Sequence, residues 1–537
     1  MERLSGSFCN YTDLEKSVLN DLLTKHECGY IEELKFCVKG RVLAPFQTRL
    51  LAYALINKRC ILSADTGLGK TGLACGLINC VNQKQPSMKW VLICPAFNMW
   101  QTYEELSESL YTAKVTCSDN KKGSRIFLTS LSLRDWDVAV LSYEALANME
   151  IQQYLLDNRE FIQGLIIDES QLVCNLNGTT SVLLESMSLQ MEYMIMLTAT
   201  PIRVNVGQFI KQIHMLDRDI FGKEVGNAIN YYTKYDDEFK PIGVQHLPRL
   251  LDEISGRYIS VTRNEIGLKG DYQVNPILCT PGKDYTEVDR KDVPRLVKGD
   301  YDGCAMRALY EEVNRLNSKG LKGLIYINLN ENKDKVKQYL AERGIETDIF
   351  DGQHTKTKSQ KEKVKQRFVD GEVNCLITNL TVGVNLQCDY IIFYELTFDF
   401  KQMLGRGERG LKSNDLYLSF IVVDNSDDVI IFYENVYNRA KLLGQVCGKD
   451  IAEIEEAYKI IKGKKYELKK LKYQLKEEEE IAQLRRAEEE KERRLKSLSI
   501  EKTEIISNKS EEKATHSRDI SDLDQNDWGD LLGALMK

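Results

Sequence analysis

Apolar residues in this chain gather in short runs instead of alternating regularly with polar ones. In the first two hundred residues the runs are Cys60-Ile61-Leu62, Trp90 to Cys94, Asp137 to Tyr143, Phe161 to Ile167 and Met194 to Leu197. A second series follows at Gly323 to Ile327, Thr347 to Phe350, Asn374 to Thr378, Tyr390 to Tyr394 and Tyr417 to Val423. Each run is too short for a helix, and a strand without alternation is buried on both faces, so the runs predict parallel strands. Helical spacing fills the intervals: Leu73, Ala74, Leu77 and Ile78; Val336 and Leu340; Val364, Phe368 and Val369. The expected fold class is α/β, with two parallel-sheet lobes covered by helices.

The remaining segments frame these lobes. Residues 1–40, with Leu14, Val18, Leu19, Leu22 and Leu23 at helical spacing, predict an N-terminal helical segment. The first lobe is expected at 41–215, an insertion or connector at 216–300 and the second lobe at 301–445. In the connector, Tyr231, Tyr232 and Tyr235 stand among alternating charges, the pattern of a solvated surface. Between 446 and 500 charge dominates, and Glu478, Ala482 and Arg485 break a heptad seam begun by Leu468, Leu471 and Leu475. That predicts a charged solvated helix, not a coiled coil. Residues 501–537 are polar and expected to be disordered. At their end Trp528, Leu531, Leu532 and Leu535 follow acidic residues, so 520–537 suits a docking peptide for a protein partner, or a segment packed on its own body.

Charge and composition narrow the functional classes. A net charge of −7 gives no global basic signature, yet from Ser510 onward seven acidic residues face three basic ones, so much of the excess lies in the tail. A local basic stripe therefore stays compatible with nucleic acid. The 14 cysteines are scattered without a C-x-x-C pair, which leads us to expect reduced thiols in an intracellular, cytoplasmic or nucleus-like compartment. The first residues lack the segments of a secretory leader, no run approaches membrane-spanning length, and the five histidines are dispersed. Neither a membrane partner nor a histidine-rich metal centre is expected.

The chemistry is concentrated at strand ends. Ser63-Ala64-Asp65-Thr66-Gly67-Leu68-Gly69-Lys70-Thr71 sits between a buried run and a helix, the context that a phosphate-binding loop requires. Thr66, Gly67, Leu68 and Gly69 would wrap backbone N–H groups around a phosphate, Lys70 would reach the outer phosphates, and the Thr71 hydroxyl would ligate Mg²⁺. Twenty residues upstream, in Leu43-Ala44-Pro45-Phe46-Gln47, the Gln47 amide can read an adenine edge because it donates and accepts at once. Asp168-Glu169, after an apolar run, pairs a second Mg²⁺ ligand (Asp168) with a carboxylate that polarises the attacking water (Glu169). In the second lobe Arg406 and Arg409 lie three apart in Gln402-Met403-Leu404-Gly405-Arg406-Gly407-Glu408-Arg409, and so share a helix face. Guanidinium groups there would stabilise the charge of phosphoryl transfer.

These motifs form an ordered series: Leu-Ala-Pro-Phe-Gln (43–47), the phosphate loop, Leu-Ile-Cys-Pro (92–95) with Trp100, Val-Leu-Ser-Tyr-Glu (140–144), Asp-Glu-Ser-Gln (168–171), Leu-Thr-Ala-Thr-Pro (197–201), Phe-Asp-Gly (350–352) and Gln-x-x-Gly-Arg-x-x-Arg (402–409). The series resembles the superfamily-two helicases and, more narrowly, the SWI/SNF-type DNA translocase ATPases, over about residues 40–445. The resemblance implies two RecA-like lobes, ATP and Mg²⁺ in the cleft between them, and nucleic acid across both. It also implies that Thr198, Thr200, Gln402 and Gly405 couple the lobes, and that Arg406 and Arg409 act as fingers. Two departures stand out. The acidic motif ends Ser170-Gln171 instead of Ala-His, and the stretch from Ile377 to Leu386 is about one residue short, which leaves the roles of Thr378 and Gly383 open.

The expected function is ATP hydrolysis driving movement along DNA, duplex ahead of single-stranded, with RNA as an alternative track. A strand-separating helicase is the alternative enzyme. A nucleic-acid-binding scaffold with a recruiting tail is the alternative of another class, and it has no use for Lys70, Glu169 and Arg406 together.

Overall fold

The computed structural model describes residues 34–118, 131, 135–173, 178–203, 205–235, 237, 239, 241–268, 272–281, 288–289, 291–355, 357–379, 387–396, 415–424, 426–447, 451–452 and 454–461. Among them, the first nine strands are β1 (Arg59–Ala64), β2 (Lys89–Cys94), β3 (Val115–Cys117), β4 (Val138–Ser142), β5 (Ile162–Asp168), β6 (Tyr193–Thr198), β7 (Thr233–Tyr235), β8 (Pro241–Val244) and β9 (Tyr258–Val261). Seven of these form one parallel sheet in the order β3-β4-β2-β5-β6-β1-β9, while β7 and β8 make an antiparallel hairpin. The second sheet comprises β10 (Tyr272–Cys279), β11 (Gly323–Tyr326), β12 (Thr347–Ile349), β13 (Cys375–Thr378), β14 (Tyr390–Phe393) and β15 (Leu416–Val423). It is also parallel, in the order β10-β15-β14-β11-β13-β12.

The apolar runs are explained by burial on both faces. Along β1, Cys60, Leu62 and Ala64 join one core and Ile61 the opposite one. Along β2, Trp90, Leu92 and Cys94 face one side and Val91 and Ile93 the other. The second sheet repeats this, with Ile391 and Phe393 opposite Tyr390 and Ile392. Each buried aliphatic side chain contributes about 1.5–3 kcal/mol, so both layers of helices are needed to keep the sheets closed. No described helix is long and apolar enough to cross a membrane.

The segment expected as an insertion or connector builds part of each sheet. It supplies β9 on the edge of the first and β10 on the edge of the second. Strand β10 carries Pro276, which an edge strand tolerates because one side needs no donor. The lobes are also interleaved along the chain. Leu34, Cys37 and Val38 pack into the first-lobe core, and so do Leu442, Leu443 and Val446 from the helix Asn438–Cys447, after the second sheet is complete. Ile454, Ala457 and Ile461 then return to the second-lobe core. The expected tail elements beyond 461 lie outside the described residues, as do most of residues 1–40.

Candidate active site

Strand order brings the chemistry to one edge. β6 lies between β1 and β5, with Ser63 level with Thr198 and Leu62, Leu197 and Asp168 in one row. All three strands are parallel, so the phosphate loop, Asp168-Glu169 and Thr198-Ala199-Thr200 emerge at the same carboxyl edge, where α/β sheets bind ligands.

The loop leaves β1 at Ala64 and feeds the helix Lys70–Lys84, whose buried positions from Gly72 to Val81 anchor it. Gly67 and Gly69 both have φ 79°, a conformation that side chains with a Cβ rarely adopt. Gly69 is also sterically fixed, since a Cβ there would lie 2.5 Å from Gln47 Nε2. Lys70 Nζ lies 3.3 Å from the Ala64 carbonyl, so its ammonium group sits within the loop.

Gln47, expected to read adenine, is mostly buried and holds the loop. Its Nε2 donates to the Leu68 carbonyl at 2.8 Å, and its Oε1 accepts from the Ala44 N–H at 2.9 Å. An amide has two hydrogens and two lone pairs, so one of each remains for a base edge. Pro45 at the start of the helix Pro45–Asn57 presets the turn that aims this side chain.

At the end of β5 two carboxylates stand side by side. Burial, then the charge of Glu169, push the Asp168 carboxyl up to about 7, although Lys70 acts in the other direction. A carboxylate held this unfavourably beside a lysine would gain from a divalent cation, and the Thr71 hydroxyl, next to Lys70 in the chain, is the further oxygen donor that would hold one. The donor set therefore suits a nucleotide carrying Mg²⁺. Glu169 is buried at φ 53°, a strained backbone for a residue with a side chain. The Tyr143 hydroxyl steadies that turn, lying 2.6 Å from the Asp168 carbonyl and 3.2 Å from that of Glu169.

A relay leads from Glu169 to the next strand. Gln171 Nε2 donates to Glu169 Oε2 at 2.8 Å, and Gln171 Oε1 accepts from the Thr198 hydroxyl at 2.6 Å. Thr198 Oγ1 in turn accepts from the Thr200 N–H at 2.9 Å. In parallel, Ser170 donates to Gln212 Oε1 at 2.7 Å and Gln212 Nε2 to the Pro201 carbonyl at 2.7 Å. All of these side chains are buried, so each polar atom needs its partner. The sequence singled out Thr198 and Thr200 but not Gln171, Gln212 or Tyr143. The Ser-Gln ending of the acidic motif was the signal for Gln171, and nothing in the sequence marked Gln212.

The structure thus joins Gln47, Thr66 to Thr71, Asp168, Glu169, Thr198 and Thr200 at one edge of the first sheet. Gln402, Gly405, Arg406 and Arg409 lie outside the described residues, as does Gly383; Thr378 ends β13 and is buried.

Residues 25–259 match the SNF2-related domain, and residues 304–411 match the helicase conserved C-terminal domain. Among curated proteins, the DNA repair and recombination protein RDH54 of Saccharomyces cerevisiae (strain YJM789) is 23% identical over 243 residues, 38% of this chain and 26% of the relative. The human DNA annealing helicase and endonuclease ZRANB3 is 28% identical over 194 residues, 35% of this chain and 17% of the relative. The chain therefore spans about a quarter or less of the length of these relatives. Among solved structures, the Sulfolobus solfataricus SWI2/SNF2 ATPase core in complex with dsDNA aligns with TM-score 0.40 at 15% identity, covering 78% of this chain and 99% of that one. The same core domain described without DNA aligns with TM-score 0.37 at 15% identity, covering 79% and 95%.

Proposed function

Because this chain belongs to the SNF2-related family of superfamily-two helicases, we propose that it hydrolyses ATP with Mg²⁺ and uses the cycle to move along duplex DNA. One observation carries this reading: the hydrogen-bonded line from Glu169 through Gln171 to Thr198, beside Lys70 and Asp168. A protein that only bound nucleotide would have no need to wire the water-activating carboxylate to the neighbouring strand.

When bound, ATP with Mg²⁺ supplies the transferable phosphoryl group and a divalent charge beside it. The N–H groups of Gly67 to Thr71 and the Lys70 ammonium hold phosphate oxygens. The Thr71 hydroxyl and the Asp168 carboxylate hold the cation, and the spare half of the Gln47 amide meets the base. Glu169, fixed by Gln171, orients a water and takes its proton. On the same reading Arg406 and Arg409 would stabilise the phosphate charge from the second lobe, which would make hydrolysis depend on lobe closure. Thr198 and Thr200 carry the state of the site to the nucleic-acid side, with Gln402 and Gly405 answering from the second lobe.

Duplex tracking is preferred over strand separation because of the β7–β8 hairpin. Phe239 near its tip is 86% exposed, as a strand-separating wedge would be, but in the sequence Asp236, Asp237 and Glu238 precede it and outnumber the one lysine that follows, a charge that opposes approach to phosphates. The acidic and apolar terminus, 520–537, is proposed to recruit a protein partner. The scattered cysteines, none of the described ones in a disulfide, suit a reducing intracellular compartment, cytoplasmic or nuclear.

The test is ATP turnover with duplex DNA, single-stranded DNA and RNA in turn, using Glu169→Gln as control. Duplex DNA should stimulate most, and the variant should lose at least about 100-fold. Unchanged turnover in Glu169→Gln removes the mechanism, and stimulation by RNA alone reassigns the track. Removing 520–537 should leave turnover intact.

A further inference from the structure

Among the described residues, two contacts between the lobes differ in kind. One is broad: Leu442, Leu443 and Val446 of the helix Asn438–Cys447 are buried in the first-lobe core. The other is a single ring. Phe97 lies in the turn after β2, closed by the Asn98 N–H donating to the Pro95 carbonyl at 2.9 Å, just before the helix Met99–Ser109. It packs against the core of the second lobe. Its ring meets Phe350 edge to face, with centroids 6.2 Å apart at 75°. Lys361 Nζ sits 3.9 Å from its centroid, over the ring.

The second-lobe side of this contact is rigid. Phe350 is fully buried and is followed by Asp351, which accepts from Lys333 Nζ at 2.6 Å and from the N–H groups of Gln353 at 2.9 Å and His354 at 2.6 Å. Lys361 lies on the helix Lys358–Asp370, whose start is fixed by a reciprocal box between Thr357 and Gln360. Burial and the nearby Lys365 hold the Lys361 ammonium below its ordinary pKa, so a π face beneath it compensates lost water. Three aliphatic side chains bury more apolar surface than one partly buried ring, so the Phe97 contact is the weaker of the two.

We propose that Phe97 is an inter-lobe latch, a positioning residue whose seat between Phe350 and Lys361 sets how far the lobes stand apart between turnovers. The contact stands independently of the ATPase reading, and only its consequence for turnover rests on that reading. A latch that is too weak leaves the second-lobe arginines far from the phosphate loop for longer; one that is too strong delays reopening.

The test uses the full chain with dyes at exposed Glu150 and Glu311, introduced through unnatural amino acids, and reads inter-lobe distance by single-molecule energy transfer without nucleotide. Phe97→Ala should shift the closed-to-open ratio by about 10-fold toward open, and Lys361→Met by about threefold. Phe97→Tyr should keep the wild-type distribution. Affinity for a fluorescent ATP analogue should stay within about twofold, because the phosphate loop is untouched, while kcat changes. An unchanged distance distribution in Phe97→Ala overturns the latch. A parallel fall in melting temperature and nucleotide affinity also overturns it, by making Phe97 merely structural. A distance shift in a protein with no ATP turnover keeps the latch and overturns the hydrolase reading.

Discussion

Gln171 and Glu169, two residues apart on one turn, are joined side chain to side chain: the Gln171 amide donates to Glu169 Oε2 at 2.8 Å. The other end of the same amide accepts from Thr198. Gln171 therefore fixes the carboxylate proposed to handle water and ties it to the end of β6. Gln171→Ala should cut kcat by about 10- to 100-fold, the worth of one hydrogen bond to a charged group, with little change in KM for ATP. Stimulation by DNA should fall further than basal turnover. Gln171→His, which also donates and accepts, should restore part of the coupling. Steady-state kinetics with and without duplex DNA checks all three, and unchanged stimulation in Gln171→Ala would dismiss the relay.

That relay also shows what the sequence could carry. The ten apolar runs were legible because strands buried on both faces have no polar positions to blur them, as in Trp90 to Cys94. Of the edge strands, β10 and β3 were not: β10 mixes polar residues and a proline with half-buried ones, and β3 is three residues long. Lys70, Asp168 and Glu169 were legible because their chemistry demands a fixed spacing from a strand end. Gln171 stood out only as a departure from the motif, since its importance lies in a contact with Thr198, 27 residues further on. Phe97 and Leu442 were invisible for the same reason, as only the fold says which apolar residue crosses between lobes.

Gly69 should be intolerant of any side chain. Its φ of 79° and the Gln47 Nε2 atom, which would stand 2.5 Å from an added Cβ, act together, one on the backbone and one on space. Gly69→Ala should cost about 1–2 kcal/mol and raise KM for ATP, because the loop must unwind to relieve both. Adding Gln47→Ala removes the clash but not the backbone strain. The double variant should therefore regain only part of the loss, measured as melting temperature and nucleotide affinity. Full recovery would show that the conformation of Gly69 does not matter.

Asp351 predicts an acid-sensitive second lobe. Burial opposes its ionisation, but the hydrogen bonds from Lys333 and from His354 outweigh this and hold it down to about 2. A carboxyl depressed below its unfolded value stabilises the fold above about 4 and loses that contribution as pH falls through the folded value. Roughly 2 kcal/mol should disappear between pH 4 and pH 2. Hydrogen exchange at 350–355 should therefore accelerate over that window before exchange in β1 or β6 does. Replacing the pair together, Lys333→Met with Asp351→Leu, should flatten the pH dependence, whereas Asp351→Asn alone strands a buried ammonium and should destabilise by about 3–5 kcal/mol. Uniform acceleration in both lobes would refute the assignment to Asp351.

Arg406 is the sharpest test of two-lobe catalysis, because with Arg409 it is one of only two groups proposed to touch the phosphates that the first lobe does not hold. If Arg406 acts only when charge spreads in the transition state, Arg406→Ala should leave nucleotide affinity within about twofold while kcat falls about 10³-fold or more. Arg406→Lys should recover little, since a lysine lacks the planar fork that pairs with two phosphate oxygens. Arg409→Ala should behave in the same way but more mildly if the two share the work unequally. Single-turnover hydrolysis on saturating duplex DNA, with binding of a non-hydrolysable analogue measured alongside, separates these cases. A joint loss of binding and turnover would make the arginine a ground-state ligand, and unchanged turnover would leave catalysis to the first lobe alone.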